Sequence, residues 1–234
     1  MAGTNKRGKL IVIDGTDGSG KATQAGLLIK RLRKDGHKVK VVDFPEYYSN
    51  FFGAFIGHCL SEQYYNFVKV HPKIASVLYA ADRFESKDKI ERWLRGGTIV
   101  IANRYASANQ IHQGGKIANT KKRENFLKWL AEMEYKVFKI PKPDIVFYLS
   151  VPIPMVLKLI KQRNSAGKRN YLGKKKDVHE KDIKFLENSR KSALWLAKTQ
   201  KGWVKIECMQ NGVLQTRGTI HQKLYEKVRK ILNN

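Results

Sequence analysis

A short apolar run that leads directly into a glycine-rich loop constrains the fold of this chain most strongly. Residues 9–14 read Lys-Leu-Ile-Val-Ile-Asp, and residues 15–21 read Gly-Thr-Asp-Gly-Ser-Gly-Lys. The three glycines allow tight turns that aim backbone N–H groups inward, and Lys21 opens a helix whose N-terminal dipole favours an anion. The spacing matches the phosphate-binding template GxxxxGK, which normally continues with Ser or Thr, whereas this chain has Ala22. The segment predicts a phosphate cradle whose metal contact comes from Thr23, from water or from a carboxylate elsewhere.

Segments with strand and helix character alternate along the whole chain. We expect strands at about 9–14, 38–43, 98–102, 144–150 and 203–207. Helices are expected at about 20–35, 73–95, 104–139 (a pair), 152–163, 178–200 and 215–232. This order predicts an α/β fold of three layers, the P-loop NTPase fold, with a five-stranded parallel sheet flanked by helices. Because no repeat or long linker interrupts it, we expect a single domain over residues 1–234, with a basic, glycine-containing lid at about 164–176.

The composition of the chain narrows the classes of protein to which it can belong. The chain has 42% apolar residues, enough for a packed core, and 46 Lys and Arg against 20 Asp and Glu give a formal net charge of +26. The basic residues are spread along the chain, so a generally solvated basic surface is favoured over a dedicated nucleic-acid face. Two distant cysteines, Cys59 and Cys208, form no metal-ligand or disulfide pattern. With no signal core or membrane span, we expect a cytoplasmic protein in a reducing compartment.

Polar and aromatic residues gather after the predicted strands, where ligands bind in parallel α/β sheets. Residues 43–48 read Asp-Phe-Pro-Glu-Tyr-Tyr after the second strand, and residues 103–105 read Asn-Arg-Tyr after the third. Arg104 is suited to bidentate contact with phosphate. Tyr79 and Arg83 stand four residues apart on one helical face, an arrangement that could hold a flat base. The alternative is a buried aromatic with a surface salt bridge from Arg83 to Asp82 or Glu85.

These motifs, taken in order, resemble the thymidylate kinases of the P-loop nucleoside monophosphate kinase family. The match spans nearly the whole length and is carried by residues 13–21, 44–47, 81–85, 103–105, 141–144 and 177–180. The resemblance implies transfer of the γ-phosphoryl group of ATP to dTMP with Mg²⁺, and a homodimer packed through helices near 51–61, 73–95 and 104–118. Because the basic residues lie in the lid region and not inside the loop, the chain resembles the bacterial-type arrangement with lid arginines.

The resemblance also implies a role for each matching residue. It implies ATP binding by Gly15, Thr16, Asp17, Gly18, Ser19, Gly20, Lys21, Ala22 and Thr23. It implies dTMP binding by Asp17, Phe44, Tyr47, Tyr79, Arg83, Arg104, Asn109, His112 and His179. Tyr79 would stack on thymine, Arg83 would donate to a ring carbonyl, and Asn109 would offer its amide to the ring edge. Catalysis would rest on Lys21, Arg104, Asp17, Arg163 and Arg169, and the metal would be held by Asp17 and Glu180.

Several residues depart from the family pattern and leave alternatives open. Asn103 replaces the usual aspartate, His112 replaces an aromatic that excludes ribonucleotides, and His179 stands where tyrosine is common. Another nucleoside monophosphate or deoxynucleoside kinase, and a catalytically dead paralogue, remain alternatives. A third alternative, a nucleic-acid-binding P-loop ATPase, follows from the net charge, although no known nucleic-acid-binding module is present and we do not expect specific nucleic-acid binding.

Overall fold

The computed structural model describes residues 6–61, 67–165 and 182–233, with the side chains of 163–165 excluded. Its centre is a parallel sheet of five strands in the order β2-β3-β1-β4-β5. The strands are β1 (Leu10–Asp14), β2 (Val39–Asp43), β3 (Ile99–Asn103), β4 (Ile145–Ser150) and β5 (Trp203–Glu207). All five predicted strands are therefore confirmed, with bounds that agree to about one residue.

Helices cover both faces of the sheet, as the expected three-layer fold requires. Before β3 they are α1 (Lys21–Lys34), α2 (Phe51–Leu60), α3 (Pro72–Glu85) and α4 (Lys87–Arg95). Between β3 and β4 lie α5 (Ala106–Gly115) and α6 (Thr120–Glu132), and α6 continues into a π-helical turn (Met133–Val137). The later helices are α7 (Ile153–Ser165), α8 (Ile183–Thr199) and α9 (Arg217–Asn233).

The alternation of side chains along β1 explains how the two faces are filled. Successive side chains of a strand point to opposite faces, and all five residues of β1 are buried. Ile11 and Ile13 belong to the cluster that packs against α1, α7 and α9. Leu10 and Val12 belong to the cluster on the other face, which includes α4 and the start of α5. A continuously apolar central strand is what a parallel sheet covered on both faces needs.

Two local expectations were wrong or incomplete. The predicted helix at 73–95 is two helices, because Ser86 ends α3 and precedes α4, and its hydroxyl bonds the Glu46 carboxylate. A hairpin of β6 (Met209–Gln210) and β7 (Val213–Leu214) lies before α9 and was not predicted. Within the described ranges, no helix is long and apolar enough to cross a membrane.

Candidate functional site

One cavity of about 740 Å³ lies beyond the carboxyl ends of the strands and gathers most of the predicted site residues. Of those residues, the cavity is lined by Asp17, Gly18, Ser19, Gly20, Lys21, Ala22, Thr23, Phe44, Tyr47, Tyr79, Arg83, Arg104, Asn109 and His112. Gly15 and Thr16 are buried beneath the loop and do not line it. Residues from four separate stretches of sequence thus meet in one place, as the strand-end argument requires.

The glycine-rich loop lies at one end of the cavity, and we call this loop with its polar neighbours the loop end (residues 14–23, Asp43, Asn103 and Arg104). Gly18 and Gly20 have φ angles of 80° and 89°, a region that other residues rarely adopt. A Cβ at Gly18 would also lie 2.8 Å from a side-chain carbon of Ile160 on α7. Lys21 Nζ donates to the carbonyl oxygens of Gly15 and Thr16 at 3.0 Å, so its charge is held inside the loop.

Arg104 connects the loop to helix α5. It follows β3 with a φ of 66°, and its guanidinium forms an ion pair with Asp17, whose Oδ1 is also 3.7 Å from Lys21 Nζ. Arg104 Nη1 lies 3.0 Å from His112 Nε2, and His112 Nδ1 lies 3.1 Å from the Ser189 hydroxyl. Because a guanidinium only donates, Nε2 must accept, which makes His112 a neutral imidazole. His112, which the resemblance places near the sugar, thus contacts Arg104. Its ring also stacks on the Phe185 ring, with 5.7 Å between the ring centroids.

Carboxylates at the loop end fit a hard cation that is held mainly by phosphate oxygens. Asp17 is already paired with cations, and Asp14 accepts bonds from Ser107 and from the Gly15 N–H. Asp43 accepts a bond of 2.8 Å from Asn103 Nδ2, whereas Asn103 Oδ1 is buried without a hydrogen-bond partner among the described residues. No group of three or more metal-ligating side chains occurs in the described part of the chain. Mg²⁺ commonly uses one or two carboxylates with phosphates, so this donor set suits it.

Desolvation raises the pKa of two of these carboxyl groups, the fully buried Asp14 and the more exposed Asp43. Asp14 is buried at the end of β1, and desolvation raises its pKa although Arg104, Ser107 and Lys21 act in the opposite direction. Desolvation likewise raises the pKa of Asp43, and the bond from Asn103 offsets part of this effect. A bound cation would favour the charged form of both groups. Asp14 and Asp43 were not among the predicted site residues, although each ends a strand.

Arg83 and Asn109 line another part of the cavity, and both bond the fully buried Glu134, which does not line it. We call these three residues the buried end. Arg83 Nε donates to Glu134 Oε2 at 3.0 Å, and Nη2 donates to Oε1. Asn109 Nδ2 donates to Glu134 Oε1 and to the Ser76 carbonyl oxygen, each at 3.1 Å. The surface salt bridge considered for Arg83 is therefore wrong, because Arg83 is 2% exposed and its partner is Glu134. The NH₂ group of Asn109 is therefore engaged inside the protein.

A third part of the cavity lies beside the hairpin and the start of α9. Leu214, Gln215 and Arg217 line it, together with Gln162 of α7. Sequence reasoning missed these residues, although Asn211-Gly212 is a strong hairpin signal. Both residues have positive φ angles, 49° and 76°, as a type I′ turn requires. Other predicted residues fall outside the described part of the chain: Arg169, His179, Glu180, the side chain of Arg163 and nearly all of the expected lid.

Comparison with known proteins identifies the family. The thymidylate kinase family model matches residues 13–220. The human thymidylate kinase is 31% identical over 149 residues, which are 63% of this chain and 63% of the human protein. A thymidylate kinase from Caldicellulosiruptor saccharolyticus is 30% identical over 230 residues, 97% of each chain. The solved structure of the Candida albicans thymidylate kinase has a TM-score of 0.72 at 22% identity, and the match covers 97% of this chain and 93% of that one. The chain belongs to the thymidylate kinase family.

Proposed function

We propose that this chain transfers the γ-phosphoryl group of ATP to dTMP, giving ADP and dTDP for dTTP synthesis. The observation that carries the proposal is a single cavity that joins a phosphate-binding loop to the polar pair Arg83 and Asn109. Phosphoryl transfer depends on holding two nucleotides in line and on neutralising negative charge, and one two-ended cavity suits both needs.

The cations at the loop end support this chemistry. Lys21 and Arg104 both line the cavity and approach the same carboxylate, Asp17. We assign Lys21 and the loop amides to the ATP phosphates and Arg104 to the dTMP phosphate, with Asp17 orienting both cations and facing the acceptor sugar. Phe44 and Tyr47 form the wall beside the acceptor phosphate, and Tyr79 stacks on thymine. We keep Arg163, Arg169 and the lid at about 164–176 as further contributors, within one domain of residues 1–234.

Mg²⁺ is the proposed cofactor. When bound, it would neutralise charge on the ATP phosphates. Asp43 and Asn103 supply oxygen atoms at the loop end, and Asn103 Oδ1 lacks another partner in the described structure. We propose them beside the expected ligands Asp17 and Glu180. Asn103 replaces the usual aspartate at the end of β3, but its register partner on β2, Asp43, would still supply a carboxylate to the metal site.

A substrate panel tests the proposed function. Purified protein with Mg²⁺ and ATP would be assayed for ADP formation with dTMP, dUMP, dCMP, dGMP and dAMP. We expect dTMP to be phosphorylated with the highest kcat/KM. Phosphorylation of another nucleotide in preference to dTMP would replace this proposal with the monophosphate kinase alternative, and absence of turnover with every acceptor would favour the dead paralogue.

The formal charge of +26 favours one alternative of another class, a nucleic-acid-binding ATPase. Such a protein binds polynucleotide with an affinity that falls steeply with salt, and its ATP turnover responds to the polynucleotide. We expect no stimulation of ATP turnover by single- or double-stranded DNA or RNA at physiological salt. Stimulation in the absence of dTMP would overturn the kinase proposal.

We also propose that the chain forms a homodimer through α2 and α3. Ile74, Val77 and Phe84 lie at helical spacing on α3 and are 60%, 41% and 47% exposed. Phe51, which is 74% exposed, lies beside them because its N–H donates to Glu85 at the end of α3. A continuous apolar face of this kind is typical of an interface between subunits.

The mass in solution tests the dimer. We expect light scattering to report a dimer for the natural chain and a monomer for Ile74→Glu, because a charge in an apolar interface is costly. Val213→Glu is the matched control, since Val213 is 67% exposed on the hairpin, away from α2 and α3. A monomeric natural chain, or equal effects of the two variants, would contradict this interface.

A further inference from the structure

The hydrogen bonds of Glu134 fix the orientation of two side chains at the buried end. Its carboxylate accepts two bonds from Arg83 and one from Asn109, and Oε1 is shared between them. Arg83 and Asn109 are therefore neighbours across a single oxygen atom. The three residues are 2%, 2% and 0% exposed, so solvent does not compete for these bonds.

The amide of Asn109 can point in only one direction. Both groups that it meets inside the protein, the Glu134 carboxylate and the Ser76 carbonyl, are acceptors. Only the NH₂ group can satisfy two acceptors, so its oxygen faces away from them. No donor in the described part of the chain reaches Asn109 Oδ1, and Asn109 lines the cavity. Asn109 thus offers the cavity an acceptor, which specifies the role of the amide that the resemblance places at the ring edge.

Arg83 is fixed in a complementary way. Glu134 uses Nε and Nη2, and Nη1 has no hydrogen-bond partner among the described residues. Arg83 also lines the cavity, so it offers N–H donors beside the acceptor of Asn109. A guanidinium group that is hydrogen-bonded through two of its nitrogen atoms has little freedom to reorient.

We propose that Glu134 is a positioning residue that selects a 4-oxo, N3–H pyrimidine base by holding Arg83 as donor and Asn109 as acceptor. This inference rests on the proposed function, because it assigns the buried end to the acceptor base. Thymine and uracil present a carbonyl oxygen beside an N–H, which match a donor beside an acceptor. Cytosine presents an amine beside an unprotonated nitrogen and meets a like group at both positions.

The substitution Glu134→Gln is the most direct test of this positioning role. Glu134→Gln keeps the size of the side chain but places an N–H group against a donor of Arg83 or Asn109, whichever way its amide points. Asn109 can relieve this conflict by turning its amide, which would reverse its polarity toward the base. We expect the ratio of kcat/KM for dTMP to that for dCMP to fall about tenfold or more, mainly through a higher KM for dTMP, with the KM for ATP unchanged.

Two controls separate positioning from loss of stability. Glu134→Asp retains two acceptor oxygens and should keep a dTMP to dCMP ratio nearer to that of the natural chain than Gln does. Leu130→Ala removes a buried side chain of α6 outside the hydrogen-bond network and should lower stability while leaving the ratio unchanged. Equal ratios in the natural chain and in a folded Glu134→Gln variant would overturn the inference.

A second variant keeps the test decisive if Glu134→Gln does not fold. Asn109→Ala removes the acceptor but leaves the Arg83 and Glu134 pair intact, and we expect it to lose discrimination against dCMP. Equilibrium binding of dTMP and dCMP to each protein measures base selection without turnover. A natural chain that binds dTMP more tightly but does not phosphorylate it would contradict the proposed activity alone. Equal binding of both nucleotides to it, or full discrimination by Asn109→Ala, would overturn the role of Glu134.

Discussion

The loop end and the buried end of the cavity differ in how firmly the protein itself fixes their polar side chains. At the buried end, Glu134 accepts bonds from Arg83 and Asn109, and all three residues are almost fully buried. At the loop end, the hydroxyls of Thr16 and Ser19 are buried and have no hydrogen-bond partner within the described ranges. An unsatisfied buried polar group costs about 1–3 kcal/mol, a cost that a folded protein retains where a ligand can remove it.

This difference separates the part of the cavity that would select the base from the part that would carry out phosphoryl transfer. At the buried end, Glu134 fixes Arg83 and Asn109 without a ligand and leaves Arg83 Nη1 and Asn109 Oδ1 for the base. The selectivity of this end is therefore part of the folded structure. The loop end has cations that share Asp17 and carboxylates with raised pKa values, so its final arrangement depends on what binds. Substitutions at the buried end should therefore reduce stability first, and substitutions at the loop end should reduce activity first.

The largest effect is expected from Glu134→Ala. Removing one partner of a buried ion pair leaves Arg83 charged and uncompensated, which costs about 3–5 kcal/mol of unfolding free energy. Urea unfolding would measure it, with Asp43→Ala as the matched loss of a carboxylate at the loop end. Because Asp43 is exposed at the end of β2 and its described bond is to the side chain of Asn103, we expect that variant to change stability by less than about 1 kcal/mol. Equal losses of unfolding free energy in the two variants would contradict the proposed difference between the two ends.

Lys21→Ala should give the opposite result. The lysine bonds two backbone carbonyls of its own loop and lies 3.7 Å from Asp17 of the same loop. Because these contacts are local, its loss should leave the free energy of unfolding nearly unchanged. If Lys21 stabilises the transferring phosphoryl group, kcat/KM should fall about 10²- to 10³-fold, or roughly 3–4 kcal/mol in the barrier. Lys30→Ala, an exposed position on the same helix, is the control and should retain activity. A large loss of stability in Lys21→Ala would mean that the loop end, too, is a structural unit.

The sequence predicted the loop end better than the buried end, for a physical reason. The strand bounds and the turn after β1 depend on apolar runs and glycine positions, which are local. The pairing of Arg83 with Glu134 joins residues 51 apart in sequence, and no local pattern marks it. Helical spacing placed Tyr79 and Arg83 on one face, but the partner of Arg83 and the orientation of Asn109 depend on how α3, α5 and the π-helical turn pack together.

The missed local features have separate causes. The break at Ser86 lacks glycine or proline, and the Ser86 hydroxyl donates to a carboxylate far away in sequence, Glu46, a contact that no local pattern marks. The hairpin before α9 has strands of two residues each, too short for a periodic pattern to show. Its Asn211-Gly212 turn was nonetheless a usable signal. The hydrogen bond between Asp43 and Asn103 needed the register of β2 and β3, which sequence alone does not fix.

Asp82, the neighbour of Arg83, gives a smaller, pH-dependent effect. Desolvation raises its pKa from 3.8 to about 6, although Asn50 and Arg83 oppose the shift. A group with a raised folded-state pKa stabilises most below its unfolded pKa, and this contribution is lost as pH rises through about 6. Relative to Asp82→Asn, the natural chain should therefore lose roughly 1 kcal/mol of stability between pH 5 and pH 7. Urea unfolding at both pH values measures the difference.

The control for this prediction is Asp88→Asn on α4, where the side chain is 84% exposed. Its stability difference from the natural chain should stay constant between the two pH values. If Asp82→Asn behaved in the same way, the charge on Asp82 would carry no cost in the folded protein. The charge of Asp82 would then be as fully balanced by its neighbours as that of Arg83, and Asp82 would belong to the buried end.

The smallest effect should come from Ala22, at the position where the loop template normally has a hydroxyl. Ala22→Thr would add that group at an exposed cavity-lining position, and Ala22→Val would add the same shape without it. We expect Thr, but not Val, to tighten apparent Mg²⁺ binding a few-fold, the equivalent of about 0.5–1 kcal/mol for one added contact. Titration with Mn²⁺ in the presence of ATP would measure binding directly, and the dTMP to dCMP ratio should not change. Equal binding by the two variants would mean that the ligands already present complete the metal site. Because the hydroxyl acts only through the metal, a gain specific to Thr would show that the residues present at the loop end leave one metal contact open, whereas Glu134 already fixes Arg83 and Asn109 at the buried end.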